Sequence, residues 1–138
     1  SRFGYGWHVD SGIHALHMIA TGVFDRHPKL QIILGHWGEL LPFYADRFDT
    51  AMPAEFMGLE HEPSYYLKNN TYVTSSGIQS VECMDFCKRV LGAERLMFSA
   101  DYPFANFDGT NKLLSNPSFT PEEIELFAYG NAERLLKL

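Results

Sequence analysis

Residues 30–49 read LQIILGHWGELLPFYADRFD. The run Leu30–Leu34 is apolar and β-branched in its middle, and its length suits a strand buried on both faces, as in a parallel sheet. It ends on a polar cluster, His36, Trp37, Gly38 and Glu39. From Glu39 to Met52 the spacing turns helical, with Leu41, Tyr44, Ala45 and Phe48 in register. Pro42 falls in the first turn, where proline is tolerated. A buried strand that hands over to polar residues and then to a helix is one βα unit with chemistry at the strand end.

The same pattern extends in both directions. SGIHALHMIATGVFDRHP, residues 11–28, spaces Ile13, Leu16, Ile19, Val23 and Phe24 as one apolar helix face, with Asp10 or Ser11 as cap and Pro28 as stop. Residues 1–10 carry no helix or strand start of their own. Residues 53–63 read as a loop or broken helix, and SYYLKNN as a short helical turn. TYVTSSG, residues 71–77, reads as a second strand. QSVECMDFCKRVLG is a helix that ends at Gly92. RLMFSADYP is a third strand, apolar through Phe98, and residues 104–119 form a loop. The last helix opens with Thr120 as cap, Pro121 in its first turn and Glu123 three residues after the cap, with a break expected at Gly130-Asn131.

Helix and strand therefore alternate through three strands, which implies an α/β fold with a parallel sheet and right-handed crossovers. A doubly wound sheet would show a Gly-rich phosphate loop after its first strand, and none is present. The strands end instead in His36, in Ser75 and Ser76, and in Asp101, as in a (β/α)₈ barrel whose site lies at the C-terminal strand ends. A whole barrel takes about 250 residues, against 138 here. The expectation is a partial TIM barrel holding about the last three βα units, in which residues 1–138 are the C-terminal portion of one domain.

The formal net charge of −6, with 11 Lys and Arg scattered along the chain, argues against a nucleic-acid partner. No apolar run approaches the roughly 20 residues of a membrane span. Cys83 and Cys87, four apart, face one side of a helix without two further zinc ligands nearby, so they read as free thiols of a cytoplasmic protein.

In a barrel, His36 and Asp101 point into one mouth. An imidazole suits zinc or manganese and titrates near neutrality, and a carboxylate beside it completes a metal site or orients the ring. Glu39 buttresses His36 or serves the helix dipole. Arg47, about three helical turns on, binds a substrate carboxylate or pairs with Asp46 or Asp49. Phe104 walls an apolar pocket, and Trp7 sits there too or on the surface. Taken singly, each of these residues also has a bland structural reading. Of the remaining histidines, His14 is expected to pack near a helix end, His17 and His27 to lie on the surface, and His8 and His61 to sit in loops with no role.

GVFDRHPKLQIILGHWGELLPFYADRFD, FSADYPF and the terminal NAERLLKL together resemble the C-terminal half of the amidohydrolase-2 family. The closest likeness is to its metal-dependent nonoxidative decarboxylases of γ-resorcylate, 2,3-dihydroxybenzoate and 5-carboxyvanillate. The resemblance implies a (β/α)₈ barrel with one divalent metal, Zn²⁺ or Mn²⁺ with Mg²⁺ a further option, and no organic cofactor. It implies His36 and Asp101 as metal ligands and, with Glu39, as the catalytic group, and Arg47 and Phe104 as substrate-binding residues. The reaction implied is protonation of the ring carbon that bears the carboxylate of a hydroxybenzoate, followed by loss of CO₂, in a homo-oligomer. An E-x-H or H-x-H pair after the first strand and a histidine after the fifth also belong to the family's metal site. Neither lies in these residues, so this stretch alone is expected to bind metal poorly and to be inactive. Two other readings stay open: a metal-dependent hydrolase of a lactone or amide, and a noncatalytic interaction domain.

Overall fold

The computed structural model describes residues 2–138, leaving Ser1 outside. A π-helical turn, Arg2–Gly6, runs into α1 (Trp7–Ala20), followed by α2 (Val23–Arg26), β1 (Ile32–Leu34) and a short turn α3 (His36–Glu39). A 3-10 turn, Leu41–Tyr44, leads to α4 (Ala45–Ala51), α5 (Ala54–Met57), α6 (Pro63–Asn70) and β2 (Thr71–Thr74). Then come α7 (Val81–Leu91), a 3-10 turn Ala93–Arg95, β3 (Leu96–Met97), α8 (Thr110–Leu114), α9 (Pro121–Glu125), a second π-helical turn Leu126–Gly130 and α10 (Asn131–Leu136). The strands form one sheet in the order β1-β2-β3, with β2 and β3 parallel and Val73 opposite Leu96. The α/β class with a parallel sheet is thus present.

The chain divides into two compact units. One is formed by the residues up to Ile32 together with Gly38–Thr71, the other by Ile33–Trp37 with Tyr72–Leu138. In the first, Ile19 of α1, Phe24 of α2 and Tyr66 and Leu67 of α6 are buried. Phe24 stacks on Tyr66 at 6.1 Å. The Tyr66 hydroxyl donates to Asp25 and accepts from the His61 N–H at 3.0 Å. Burial, then the bond to Asp25, pushes the Tyr66 pKa up to about 12. Asn70 donates to the Pro28 and Leu30 carbonyls, which ties the end of α6 to the approach to β1.

In the second unit Val73, Met84, Leu96, Leu113 and Phe127 are almost wholly enclosed. Ser80 caps α7 by accepting from the Cys83 N–H. The Thr120 capping box is complete: Glu123 N–H donates to the Thr120 hydroxyl at 3.2 Å and Thr120 N–H to the Glu123 carboxylate at 2.9 Å. Lys88 pairs with the same carboxylate at 2.5 Å. Cys83 and Cys87 are free thiols, and burial pushes Cys87 up to about 12.

Several boundaries differ from the sequence reading. The first helix starts at Trp7, not Ser11, because it continues a helical turn and needs no cap; its N-cap position is Gly6. It stops at Ala20, where Gly22 takes φ +68°, so residues 11–27 are two helices. Strand β1 is shorter than Leu30–Leu34, and Ile33 is 49% exposed rather than covered on both faces. The helix expected over 39–52 is interrupted at its start, where Glu39 and Leu40 are left-handed and Leu41–Tyr44 forms a 3-10 turn before α4. Strand β3 stops at Met97, and the loop 104–119 contains α8. Gly130-Asn131 does not break the last helix, since Gly130 is right-handed (φ −60°) and a π-helical turn carries the chain through. Among the described residues no helix is long and apolar enough to cross a membrane.

Asn131 is fully buried and donates to the carbonyls of Ala93 and Leu96, at 2.9 and 2.7 Å, tying the last helix to the start of β3. Asn131→Ala leaves two buried acceptors without donors and is expected to cost about 2–4 kcal/mol. Thr120→Ala removes an exposed cap and is expected to cost only about 1 kcal/mol. Urea unfolding of the two variants measures the contrast.

Candidate functional site

The site is built from the ends of the strands. After β1 the chain turns left-handed. His36, Trp37, Gly38, Glu39 and Leu40 all have positive φ, at 47°, 58°, 85°, 52° and 70°. α3 is therefore one left-handed turn, a conformation that L-residues avoid for steric reasons. Trp37 fixes its first half within the second unit. It is 5% exposed, its indole N–H donates to the Ile78 carbonyl at 2.6 Å, and its ring stacks on Phe127 at 6.1 Å. The Cys87 thiol reaches the Trp37 carbonyl at 3.6 Å.

At the end of β2, the buried Ser75 clasps the neighbouring strand end. Its hydroxyl donates to the Ser99 carbonyl at 2.7 Å and accepts from the Ser99 N–H at 3.0 Å. Two residues beyond Ser99, Asp101 takes φ +61°, and its carbonyl accepts from the N–H groups of Phe104 and Ala105. The Asp101 Oδ2 then lies 3.7 Å from His36 Nε2, with the two side chains 35% and 27% exposed.

That separation is too long for a hydrogen bond. Two donors that share one cation at about 2.1 Å and near-tetrahedral angles stand about 3.4 Å apart. One imidazole nitrogen and one carboxylate oxygen are the donor types that zinc and manganese accept. The pair fits a divalent cation as part of a ligand set.

The other expected site residues lie as follows. Glu39 is 7% exposed within the left-handed turn, so it does not serve a helix dipole; its Oε2 is 2.8 Å from His8 Nδ1. Arg47 is exposed on α4 and makes no ion pair with Asp46 or Asp49. It is not three turns along a helix from His36, because the intervening turns break the helix. Phe104 is 77% exposed and lines an open concavity with Tyr102, Pro103 and Phe107, so among the described residues it walls no closed pocket. Trp7 is 59% exposed, and His14 is exposed within α1 rather than packed near a helix end. His61 is exposed and stacks on Tyr65 at 3.8 Å. Two side chains escaped the sequence reading, Trp37 as anchor and His8 as partner of Glu39. No local signal marked His8, because the helix that carries it starts without a cap.

Gly77 sets how closely the β2 loop approaches Asp101. Its φ is +78°, and a Cβ there would lie 2.8 Å from Ala105 Cβ and 3.1 Å from Asp101 Cβ. Gly77→Ala is expected to destabilise by about 1–2 kcal/mol through the left-handed φ alone and to push Asp101 away from His36. The check is a crystal structure of the variant beside its melting temperature.

Comparison with known proteins places this geometry in context. Residues 4–138 match the amidohydrolase family Amidohydro_2. Decarboxylase orsB of Emericella nidulans is 38% identical over 98% of this chain and 43% of its own length. A Staphylococcus aureus protein assigned as an amidohydrolase superposes with a TM-score of 0.93 at 45% identity, over 99% of this chain and 44% of that one. A dihydroxybenzoic acid decarboxylase of a Polaromonas species, solved with manganese and the inhibitor 2-nitroresorcinol, superposes with a TM-score of 0.86 at 30% identity, over 99% of this chain and 45% of that one. The chain spans less than half the length of these relatives. On its sequence, its parallel α/β fold and this match along nearly all its residues, the chain belongs to the Amidohydro_2 amidohydrolase family.

Proposed function

We propose that the intact protein is a carbon–carbon lyase that removes CO₂ from a hydroxybenzoate-type aromatic acid with the help of one divalent metal. The observation that carries this reading is the convergence of His36 and Asp101, from the ends of β1 and β3, to 3.7 Å. The decarboxylases among its relatives, one of them solved with manganese and a resorcinol, support the substrate class. In this reading the described residues are βα units of one barrel domain, and the protein is a cytoplasmic homo-oligomer. Two free cysteines accord with a reducing compartment.

Asp101 would hold the cation, Zn²⁺ or Mn²⁺ with Mg²⁺ a further option. The cation supplies Lewis-acid stabilisation of negative charge on the substrate's oxygens. A proton is added to the ring carbon that bears the carboxylate. The carbon–carbon bond then breaks, its electron pair restores the aromatic ring, and CO₂ leaves. Standing beside the cation as acid and not as ligand, His36 delivers the proton, with Glu39 assisting. Arg47, exposed and without an ion pair to its acidic neighbours, pairs with the substrate carboxylate. Phe104 offers its exposed ring to the substrate's apolar face.

The test is CO₂ release from a hydroxybenzoate panel by intact, Mn²⁺-loaded protein. Asp101→Asn is expected to lower kcat by roughly 10²–10⁴-fold, and chelation of the metal to abolish turnover of the wild type, a loss that added Mn²⁺ reverses. Hydrolysis of lactones or amides without CO₂ release would move the protein to the hydrolases. Inertness toward both panels would leave only the noncatalytic reading.

A further inference from the structure

Within the first unit, α1 touches Glu39 twice. His8, in the first turn of α1, places Nδ1 2.8 Å from Glu39 Oε2, and the two side chains are 18% and 7% exposed. A carboxylate only accepts, so the bond puts a proton on His8 Nδ1. Four residues on, and therefore on the same helix face, Gly12 lies against the backbone of Glu39. A Cβ at Gly12 would come within 2.6 Å of the Glu39 carbonyl oxygen. His8 thus grips the side chain while the missing Cβ of Gly12 lets the helix approach the main chain.

Glu39 needs such a grip. Both it and Leu40 are non-glycine residues with left-handed φ, at 52° and 70°. Residues in that region keep their conformation only where their surroundings impose it. The Glu39 carboxylate sits on this strained turn in one orientation. A short bond between an imidazole N–H and one named oxygen chooses it.

We propose that His8 is a positioning residue, which acts by fixing the orientation of the Glu39 carboxylate. The effect on turnover rests on the decarboxylase reading above; the pairing itself does not. Glu39 serves the proton step and not substrate binding, so loss of its orientation lowers kcat and leaves KM nearly unchanged. Positioning partners of this kind are typically worth about 10–100-fold in activity. His8→Leu is expected to show that loss in the intact, Mn²⁺-loaded protein. His8→Asn, whose amide nitrogen falls where Nδ1 lies, is expected to recover most of it.

The experiment pairs steady-state kinetics of the two variants with imidazole ¹⁵N–¹H correlation spectra of the wild type and Glu39→Gln. Support is a His8 protonated on Nδ1, with a signal that shifts in Glu39→Gln, and a kcat loss in His8→Leu that His8→Asn rescues. Equal losses in both His8 variants, or losses that follow melting temperature alone, would overturn the proposal. So would an Nε2-protonated His8 in the wild type, whatever the activity. If the spectra show the pair and no hydroxybenzoate is turned over, the decarboxylase reading falls and the pairing stands.

Discussion

The left-handed path from His36 to Leu40 is the constraint on which the candidate site depends. Four of its five residues carry a Cβ, and each costs roughly 1–2 kcal/mol in that region, together comparable to the net stability of 5–15 kcal/mol of an ordinary domain. Such a turn persists only if neighbouring structure holds it. Trp37 does so on one side, with its ring enclosed against Phe127 and its N–H used by Ile78. Burial of an aromatic side chain is worth several kcal/mol, enough to offset much of the strain. On the other side Glu39 is enclosed and bonded to His8. Trp37 thus holds the start of the turn from which His36 departs.

The same device recurs along the sheet. Each strand is followed within a few residues by a non-glycine residue of positive φ: His36 after β1, Ser76 after β2, Asp101 after β3. Strained backbone at the C-terminal ends of adjacent strands is where an α/β protein gathers its chemistry. Around it the polar groups are answered locally. Thr74 and Ser76 share a hydroxyl bond at 2.6 Å, and Ser75 serves both the N–H and the carbonyl of Ser99. These bonds fix where β3 ends, and so the point from which Asp101 departs.

Much of this was legible in the residues. The alternation of helix and strand, the capping box at Thr120 and the stop at Gly92 are local signals and appear as read, while the apolar run before Gly35 gives a strand that is shorter and more exposed than read. The pairing of His36 with Asp101 was legible for another reason: the βα rule places consecutive strand ends on one side of a sheet. What stayed hidden was whatever tertiary packing decides. No cap marks Trp7, because its helix continues a preceding turn, and that concealed His8. A turn of either hand can carry the apolar spacing of a helix start, so residues 39–44 read as helical although Glu39 and Leu40 are left-handed and Leu41–Tyr44 is a 3-10 turn. The extent of β1 and β3 depends on cross-strand pairing, which short apolar runs do not encode.

Asp101 and Glu39, each within its own unit, have opposite surroundings. Asp101 is about one-third exposed, and its oxygen faces the His36 nitrogen across a gap too wide for a hydrogen bond. An oxygen so placed can take a cation or a substrate proton without breaking an existing bond. Glu39 is enclosed, and one of its oxygens is already engaged by an imidazole. A carboxylate held that way is poorly placed to meet substrate itself and well placed to act through a neighbouring base. The left-handed turn makes this possible, because a regular helix from His36 would have carried Glu39 along its own surface and not into contact with α1.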